Sequence, residues 1–281
     1  MMAEPFLSDQ IDGVLMMKPV FADGKIISSG ISLRTGGSSS APFSSLNLGL
    51  HVNDDPDRVI ENRRILAKQI GFPLNRWVCA EQVHGTKIAR VTQQDAGSGA
   101  ESLGDVISGV DGLYTTEPDL LLALCFADCV PVYFYSREPV AVGMLHAGWR
   151  GTVHRGAAKM VEVWGKTLGI RPESIHAIVG PAINGRDYEV DERVITEVRK
   201  LEKSIWREAV IPAGNGHYLL NLKTLNRQIL LRSGVPEKQV TVTGYCTNTH
   251  PELFYSYRLE KGRTGRMIGF IGMKDEGKDK S

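Results

Sequence analysis

The chain has 281 residues, 42% of them hydrophobic and 23% charged, so it can bury a large core and does not have the composition of a disordered chain. Its 33 basic and 32 acidic residues leave a net charge of +1, with no dense Lys/Arg stripe, which argues against nucleic acid as a partner and favours a small uncharged or mildly anionic ligand. No apolar run reaches the roughly 18 residues of a membrane span, Met1 to Pro5 do not read as a secretory leader, and four scattered cysteines do not read as a disulfide framework. A cytoplasmic protein with reduced thiols and no membrane partner is expected.

In chain order, β-branched and aromatic runs predict strands near Gly13–Lys18, Lys25–Leu33, Trp77–Ala80, Lys87–Thr92, Leu120–Phe126, Val130–Tyr135, Val140–His146, Ile175–Val179, Val240–Tyr245 and Met267–Gly272. Helices are predicted over 56–70, opened by Asp55-Pro56 and closed by Gly71, and over 152–168, 191–205 and 222–232. Their uneven interleaving predicts an α+β (mixed α/β) fold, with mixed β-sheets layered against flanking helices. No internal repeat or Pro-rich linker divides the chain, so residues 1–273 read as one domain and the charged stretch 274–281 as a disordered tail.

Three segments are unusual for their setting. In Cys125-Phe126-Ala127-Asp128-Cys129-Val130-Pro131 an acid and a second thiol interrupt an apolar strand, and the Asp needs a partner or water. In Leu145-His146-Ala147-Gly148-Trp149-Arg150-Gly151-Thr152 a strand ends in His and passes through a Gly-flanked turn into a helix, whose free N–H groups suit an anion. On the helix over 56–70, Arg63 shares a face with Val59, Leu66 and Ile70, so its guanidinium points inward, either as a structural group or as a ligand contact.

Cys and His are natural zinc ligands, and three protein ligands with an open fourth position is the usual catalytic arrangement. His84 in Glu81-Gln82-Val83-His84-Gly85, Cys129 and His146 are the three such residues in unusual backbone settings, and they form the expected metal site. His51, His154, His176, His217 and His250 read as structural or surface residues, with His154 close enough to the turn after His146 to touch a ligand.

Together these segments resemble the YlmD/YfiH family of laccase-domain, polyphenol-oxidase-like proteins, to which mammalian FAMIN is related. The resemblance rests on Ser45-Leu46-Asn47-Leu48-Gly49-Leu50-His51-Val52, Glu61-Asn62-Arg63-Arg64, the segment around His84, Val110-Asp111-Gly112-Leu113, and Ala127 to Pro131. It continues through His146 to Gly151, Gly180-Pro181-Ala182-Ile183, Cys246-Thr247, Phe254 to Arg258 and Gly265-Arg266, and so covers nearly the whole chain. One departure is Asn184-Gly185-Arg186-Asp187 before Tyr188, where the family usually has Gly and often a Cys pair; it bears on one pocket wall.

The resemblance implies zinc, with copper as second choice, at His84, Cys129 and His146. It also implies phosphorolysis of adenosine, inosine and S-methyl-5′-thioadenosine, with hydrolytic deamination of adenosine as a second activity, so that purine nucleosides and phosphate are the expected partners. Asn47 and Arg63 match positions near the ligand. In deamination a zinc-activated water attacks purine C6, with Asp128 as proton shuttle or, equally, as the group that orients a ligand histidine. Arg63, Arg150 and the Gly151-Thr152 helix start would contact phosphate, and Tyr188, Tyr257 and Arg258 would line the base or ribose pocket.

Three other readings compete. A multicopper oxidase needs a histidine-rich cluster that seven scattered histidines with no His-x-His pair do not supply. A cysteine amidase acting on peptidoglycan precursors could use Cys129 with His146 as base, leaving His84 idle. A non-catalytic nucleoside- or metal-binding protein would retain its ligand without converting it.

Overall fold

The computed structural model describes residues 3–277 and stacks two large sheets between two layers of helix. The first sheet runs β1 (Phe6–Ile11), β2 (Val14–Met17), β4 (Lys25–Ser32), β16 (Met267–Asp275), β8 (Leu120–Phe126), β5 (Trp77–Cys79), with β3 (Val20–Ala22) also on β4. The second runs β15 (Val240–Val242), β11 (Ile175–Val179), β9 (Val130–Arg137), β10 (Val140–Ala147), β7 (Gly112–Thr115), β6 (Ile88–Arg90). Most neighbours are antiparallel, but β5 with β8, β6 with β7 and β11 with β15 are parallel, so both sheets are mixed, as the uneven spacing of elements predicts.

The strands are apolar on both faces because both faces are covered. In β8, Leu120, Leu122, Leu124 and Phe126 enter the core between the sheets, while Leu121, Ala123 and Cys125 pack with Leu66 and Ala67 of α1 (Pro56–Ile70). In β10, Val140, Val142 and Met144 face the inter-sheet core, and Ala141, Leu145 and Ala147 pack with α3 (Gly156–Leu168) and α6 (Leu222–Arg232). A strand alternates its side chains, so His146 continues the inward series and its ring lies 5.6 Å from that of Phe126.

Helix α1 has the expected bounds: Asp55 caps it by accepting from the Asp57 N–H, Pro56 opens it, and Gly71 closes it at φ 69°. Helix α6 also matches. The helix expected over 152–168 is two, α2 (Trp149–Val153) and α3, because Arg155 adopts a left-handed φ of 58° between them. Likewise 191–205 divides into α4 (Glu192–Val198), capped by Asp191, and α5 (Lys203–Trp206).

All ten predicted strands are present. Six further strands are not predicted: β1, β3, β7 and the small sheet of β12 (Glu189–Asp191), β14 (His217–Leu220) and β13 (Val210–Gly214). The β13–β14 turn is Asn215-Gly216, with φ of 52° and 75°, a tight-hairpin signature legible in the residues themselves. Strand β16 pairs with β4 as far as Asp275 opposite Lys25, so Lys274 and Asp275 belong to the sheet and not to the expected tail. The end of that tail, residues 278–281, lies outside the described residues. Among the described residues no helix is long and apolar enough to cross a membrane.

Candidate metal centre and cleft

The site lies where the chain crosses between the two sheets. Cys129 sits in the short link from β8 to β9, His84 in the link from β5 to β6, and His146 near the end of β10. Both links are held in backbone conformations uncommon for residues with a Cβ: His84 has φ 58° and Asp128 φ 87°. His84, Cys129 and His146 offer ligand atoms within 4.8 Å of one another, and among the described residues no other group of three His, Cys, Asp or Glu could hold a metal ion. The two imidazoles stand nearly perpendicular, with centroids 4.8 Å apart.

One buried carboxylate organises this group. Asp111, immediately before β7, lies 2.8 Å from His146 Nδ1 and accepts the N–H groups of Val83 (3.2 Å), His84 (3.0 Å) and Gly85 (2.6 Å). It therefore fixes the His146 ring and the loop carrying His84 at once. With Nδ1–H donated to Asp111, His146 keeps its Nε2 lone pair for a metal. Gly148 closes the other side: a Cβ there would lie 3.1 Å from both Cys129 Sγ and His84 Cδ2, so a larger residue would crowd the donors.

Charge favours the ligand form of the thiol. Burial opposes ionisation of Cys129, but the charge and hydrogen bond of His146, followed by those of His84, outweigh it and bring the thiol down to about 6. Burial likewise opposes protonation of His146, and the Cys129 thiolate and Asp111 outweigh it. For Asp111 burial is again the largest influence, overcome by His146 and the Gly85 and Val83 amides, which hold it below the ordinary carboxylate range. Two anionic side chains thus share a proton held on His146, and a metal cation can take over that compensating charge. Two imidazoles and a thiolate are a fitting donor set for such an ion.

In protein stripped of metal, iodoacetamide alkylation of Cys129 is expected to rise with pH through a midpoint near 6, as the thiolate forms. Burial pushes the Cys79 thiol up to about 11 and raises that of Cys125, so mass mapping should find the label on Cys129 and spare those two below pH 8. A Cys129 midpoint at the ordinary thiol value would contradict this electrostatic picture.

The donors open into a cleft of about 840 Å³, whose walls include His51, Gln82, Asp128, Trp149, Arg150, Tyr188, Tyr257, Arg258 and Arg266. Three of its arginines lie near aromatic faces: Arg150 at 4.5 Å from Trp149, Arg258 at 5.0 Å from Tyr188 and Arg266 at 5.7 Å from Tyr257. Asp128 accepts from Thr247 Oγ1 (2.6 Å), Ser256 Oγ (3.0 Å) and the Arg258 N–H (2.7 Å), yet burial still raises its pKa. It bonds neither ligand histidine, so the orienting role weighed for Asp128 belongs to Asp111.

Four residues expected at the ligand do not line the cleft. Arg63 is 2% exposed and donates to the carbonyls of Leu48 (2.8 Å), Gly99 (2.7 Å) and Ala100 (2.8 Å), so its inward guanidinium is structural. Asn47 is buried, donating to Asp54 and accepting from the Gly49 and Arg266 N–H groups. Thr152 is buried and its hydroxyl accepts from Asn226. Gly151 is buried in α2, which starts at Trp149 and brings Trp149 and Arg150 to the cleft instead. His154 is exposed, caps the end of α2 and lies outside the cleft lining.

Conversely, Asp111, His51 and Arg266 are not singled out as site residues by the sequence reading. An acid between Val110 and Gly112-Leu113 carries the same signal as Asp128, a charge inside an apolar run. His51 and Arg266 fall in segments that carry the family resemblance, but nothing local marks them as cleft residues, because only long-range packing brings them there.

Residues 28–274 match the family described as multi-copper polyphenol oxidoreductase laccase, and the chain belongs to this laccase-domain family. Among its relatives, the purine nucleoside phosphorylase YlmD of Geobacillus stearothermophilus is 47% identical over 251 residues, 88% of this chain and 90% of that protein. The purine nucleoside phosphorylase YlmD of Bacillus subtilis is 44% identical over 253 residues, 90% of this chain and 91% of its own. The crystal structure of Geobacillus stearothermophilus YlmD superposes with a TM-score of 0.92 at 43% identity, covering 97% of this chain and all 100% of the other. That of Bacillus licheniformis YfiH gives 0.91 at 41%, covering 96% and 99%.

Proposed function

We propose that this chain is a zinc-dependent purine nucleoside phosphorylase acting on adenosine, inosine and S-methyl-5′-thioadenosine, with adenosine deamination as a second activity. The observation that carries the reading is the convergence of His84, Cys129 and His146 on one end of a cleft walled by arginines and aromatic rings. Relatives named as purine nucleoside phosphorylases and alignable over 88% and 90% of the chain support the reaction class. Zinc suits a two-imidazole, one-thiolate set, and the histidine cluster that a multicopper oxidase needs has no counterpart among the described residues. When bound, zinc supplies Lewis-acid charge beside the substrate.

The rings of Tyr188, Tyr257 and Trp149 offer faces to a purine, and the neighbouring arginines offer charge to phosphate. In phosphorolysis a phosphate oxygen bonds to ribose C1′ as the bond from C1′ to the purine nitrogen breaks, and the proton of hydrogen phosphate ends on the departing base. Asp128 reaches the cleft with a raised pKa and is suited to relay that proton. Its bonds to Thr247, Ser256 and the Arg258 N–H hold it in place for the transfer. In deamination the same carboxyl would deliver a proton to the leaving ammonia.

The test is metal analysis by plasma mass spectrometry together with chromatography of adenosine and inosine, with and without phosphate. Near-stoichiometric zinc and phosphate-dependent release of free base are expected. Metal-free protein that leaves nucleosides untouched would overturn the reading.

One observation favours a second reading. Cys129, His146 and Asp111 form a thiol–imidazole–carboxylate line, the arrangement of a cysteine hydrolase, which would serve an amidase acting on peptidoglycan precursors. That line has no use for His84.

A further inference from the structure

One part of the cleft wall takes no part in the metal centre. His51 and Arg266 come from segments far apart in sequence, yet both flank Gly49: a Cβ on that glycine would lie 2.8 Å from Arg266 Cγ and 3.4 Å from His51 Cε1. The glycine lets the two side chains come together. Asn47 Oδ1 ties the Gly49 loop to Arg266 by accepting the Gly49 N–H at 3.1 Å and the Arg266 N–H at 2.9 Å, and the Leu48 N–H donates to the Arg266 carbonyl at 3.1 Å. Arg63 and Asn62 hold the same loop from beneath through the Leu48 and Asn47 carbonyls. The buried Asn47, Asn62 and Arg63 therefore build this wall without reaching the cleft.

The wall has donors to spare. Arg266 Nη1 donates to the Thr264 and Gly265 carbonyls at 2.8 and 3.0 Å, while its Nε and Nη2 find no protein acceptor among the described residues. The His51 ring likewise makes no hydrogen bond to a described residue, although it lines the cleft. Arg258, which gives Nη1 to the Glu189 carbonyl and lies over Tyr188, and Arg150, which lies over Trp149, also line the cleft, but it is Arg266 that Gly49 sets beside a histidine. Partial desolvation, followed by the charges of Arg266 and Arg63, holds the His51 imidazole neutral down to about 4. A neutral imidazole beside an unspent guanidinium edge offers N–H donors and one positive charge to an oxyanion, where a second cation would repel the first.

We infer that His51 and Arg266 form the subsite for inorganic phosphate, on the far side of the Asn47 loop from Arg63. The inference rests on the phosphorylase reading for its purpose, but the binding site itself is tested without turnover. Inorganic phosphate is titrated by calorimetry into the metal-loaded protein, its Arg266→Gln variant and its His51→Gln variant, and phosphorolysis kinetics are run on all three.

Wild-type protein is expected to bind phosphate, and each variant to weaken that binding and raise the phosphate KM by at least about tenfold. The inosine KM should stay within about twofold in His51→Gln, which leaves the aromatic faces and the metal donors in place, and metal content should not change in either variant. Arg266→Gln, which also takes the guanidinium from the Tyr257 face, is read on phosphate binding. If Arg266→Gln does not fold, His51→Gln carries the test, because the His51 ring lies at the cleft wall and makes no hydrogen bond to a described residue. Phosphate affinity unaltered in the folded variants, no phosphate binding by wild type, or an increase confined to the inosine KM would overturn the subsite. Phosphate binding lost in the variants, in a protein that performs no phosphorolysis, would leave the subsite standing and remove the phosphorylase reading.

Discussion

His84→Ala is expected to empty the metal centre and lower turnover by about three orders of magnitude, as far as Cys129→Ala does. The three donors lie within 4.8 Å of one another, and with two left the site no longer has the three protein ligands of a catalytic zinc centre. The cysteine-hydrolase reading expects the reverse, since its thiol, imidazole and carboxylate are Cys129, His146 and Asp111, all present in this variant. Metal content and turnover measured on the same preparations separate the two: a metal-free but fully active His84→Ala protein would establish the thiol chemistry.

Asp111→Asn should fall between wild type and the ligand variants. An outer partner of a metal ligand typically contributes about 10- to 100-fold in affinity or activity. Here one carboxylate orients His146 and accepts three amides around His84, so the variant should sit near the upper end of that range. Competition with a chelator of known affinity reads the loss directly.

Arg63→Met is expected to act chiefly on stability. The methionine fills much of the same volume but leaves the carbonyls of Leu48, Gly99 and Ala100 without their donors in a region closed to water. At about 1–3 kcal/mol for each buried polar group left unpaired, and with partial relaxation, the loss should be roughly 3–5 kcal/mol. For a chain of this size that is a fall of about 10 °C in the apparent melting temperature, readable by calorimetry at a fixed scan rate. A direct phosphate contact would predict an unchanged melting temperature with a raised phosphate KM.

These expectations separate what was legible in the residues from what was not. Strands such as β8 and β10 are evident as uninterrupted apolar runs because both faces are buried, and α1 is evident from its Asp-Pro start and glycine end. The breaks between α2 and α3 and between α4 and α5 are less legible, since no glycine or proline stands at the left-handed position, Arg155, that divides the first pair. The three metal donors stand out because a His or Cys occupies a link or strand end where the chain already departs from regular structure.

The sequence by itself determined ten of the strands, most of the helical segments, the mixed character of the sheets and the choice of His84, Cys129 and His146 as candidate donors, because these follow from local hydrophobic period, turn chemistry and ligand chemistry. Only the tertiary structure decided which polar side chains face the cleft. Arg63 and Asn47 have the residue types of ligand contacts but are consumed by carbonyls and amides beneath a loop. Arg266 reaches the cleft because β16, from the end of the chain, inserts between β4 and β8 and sets the residue just before its start beside a loop 219 positions earlier. Such a pairing is a property of how sheets close on themselves, and no local pattern encodes it.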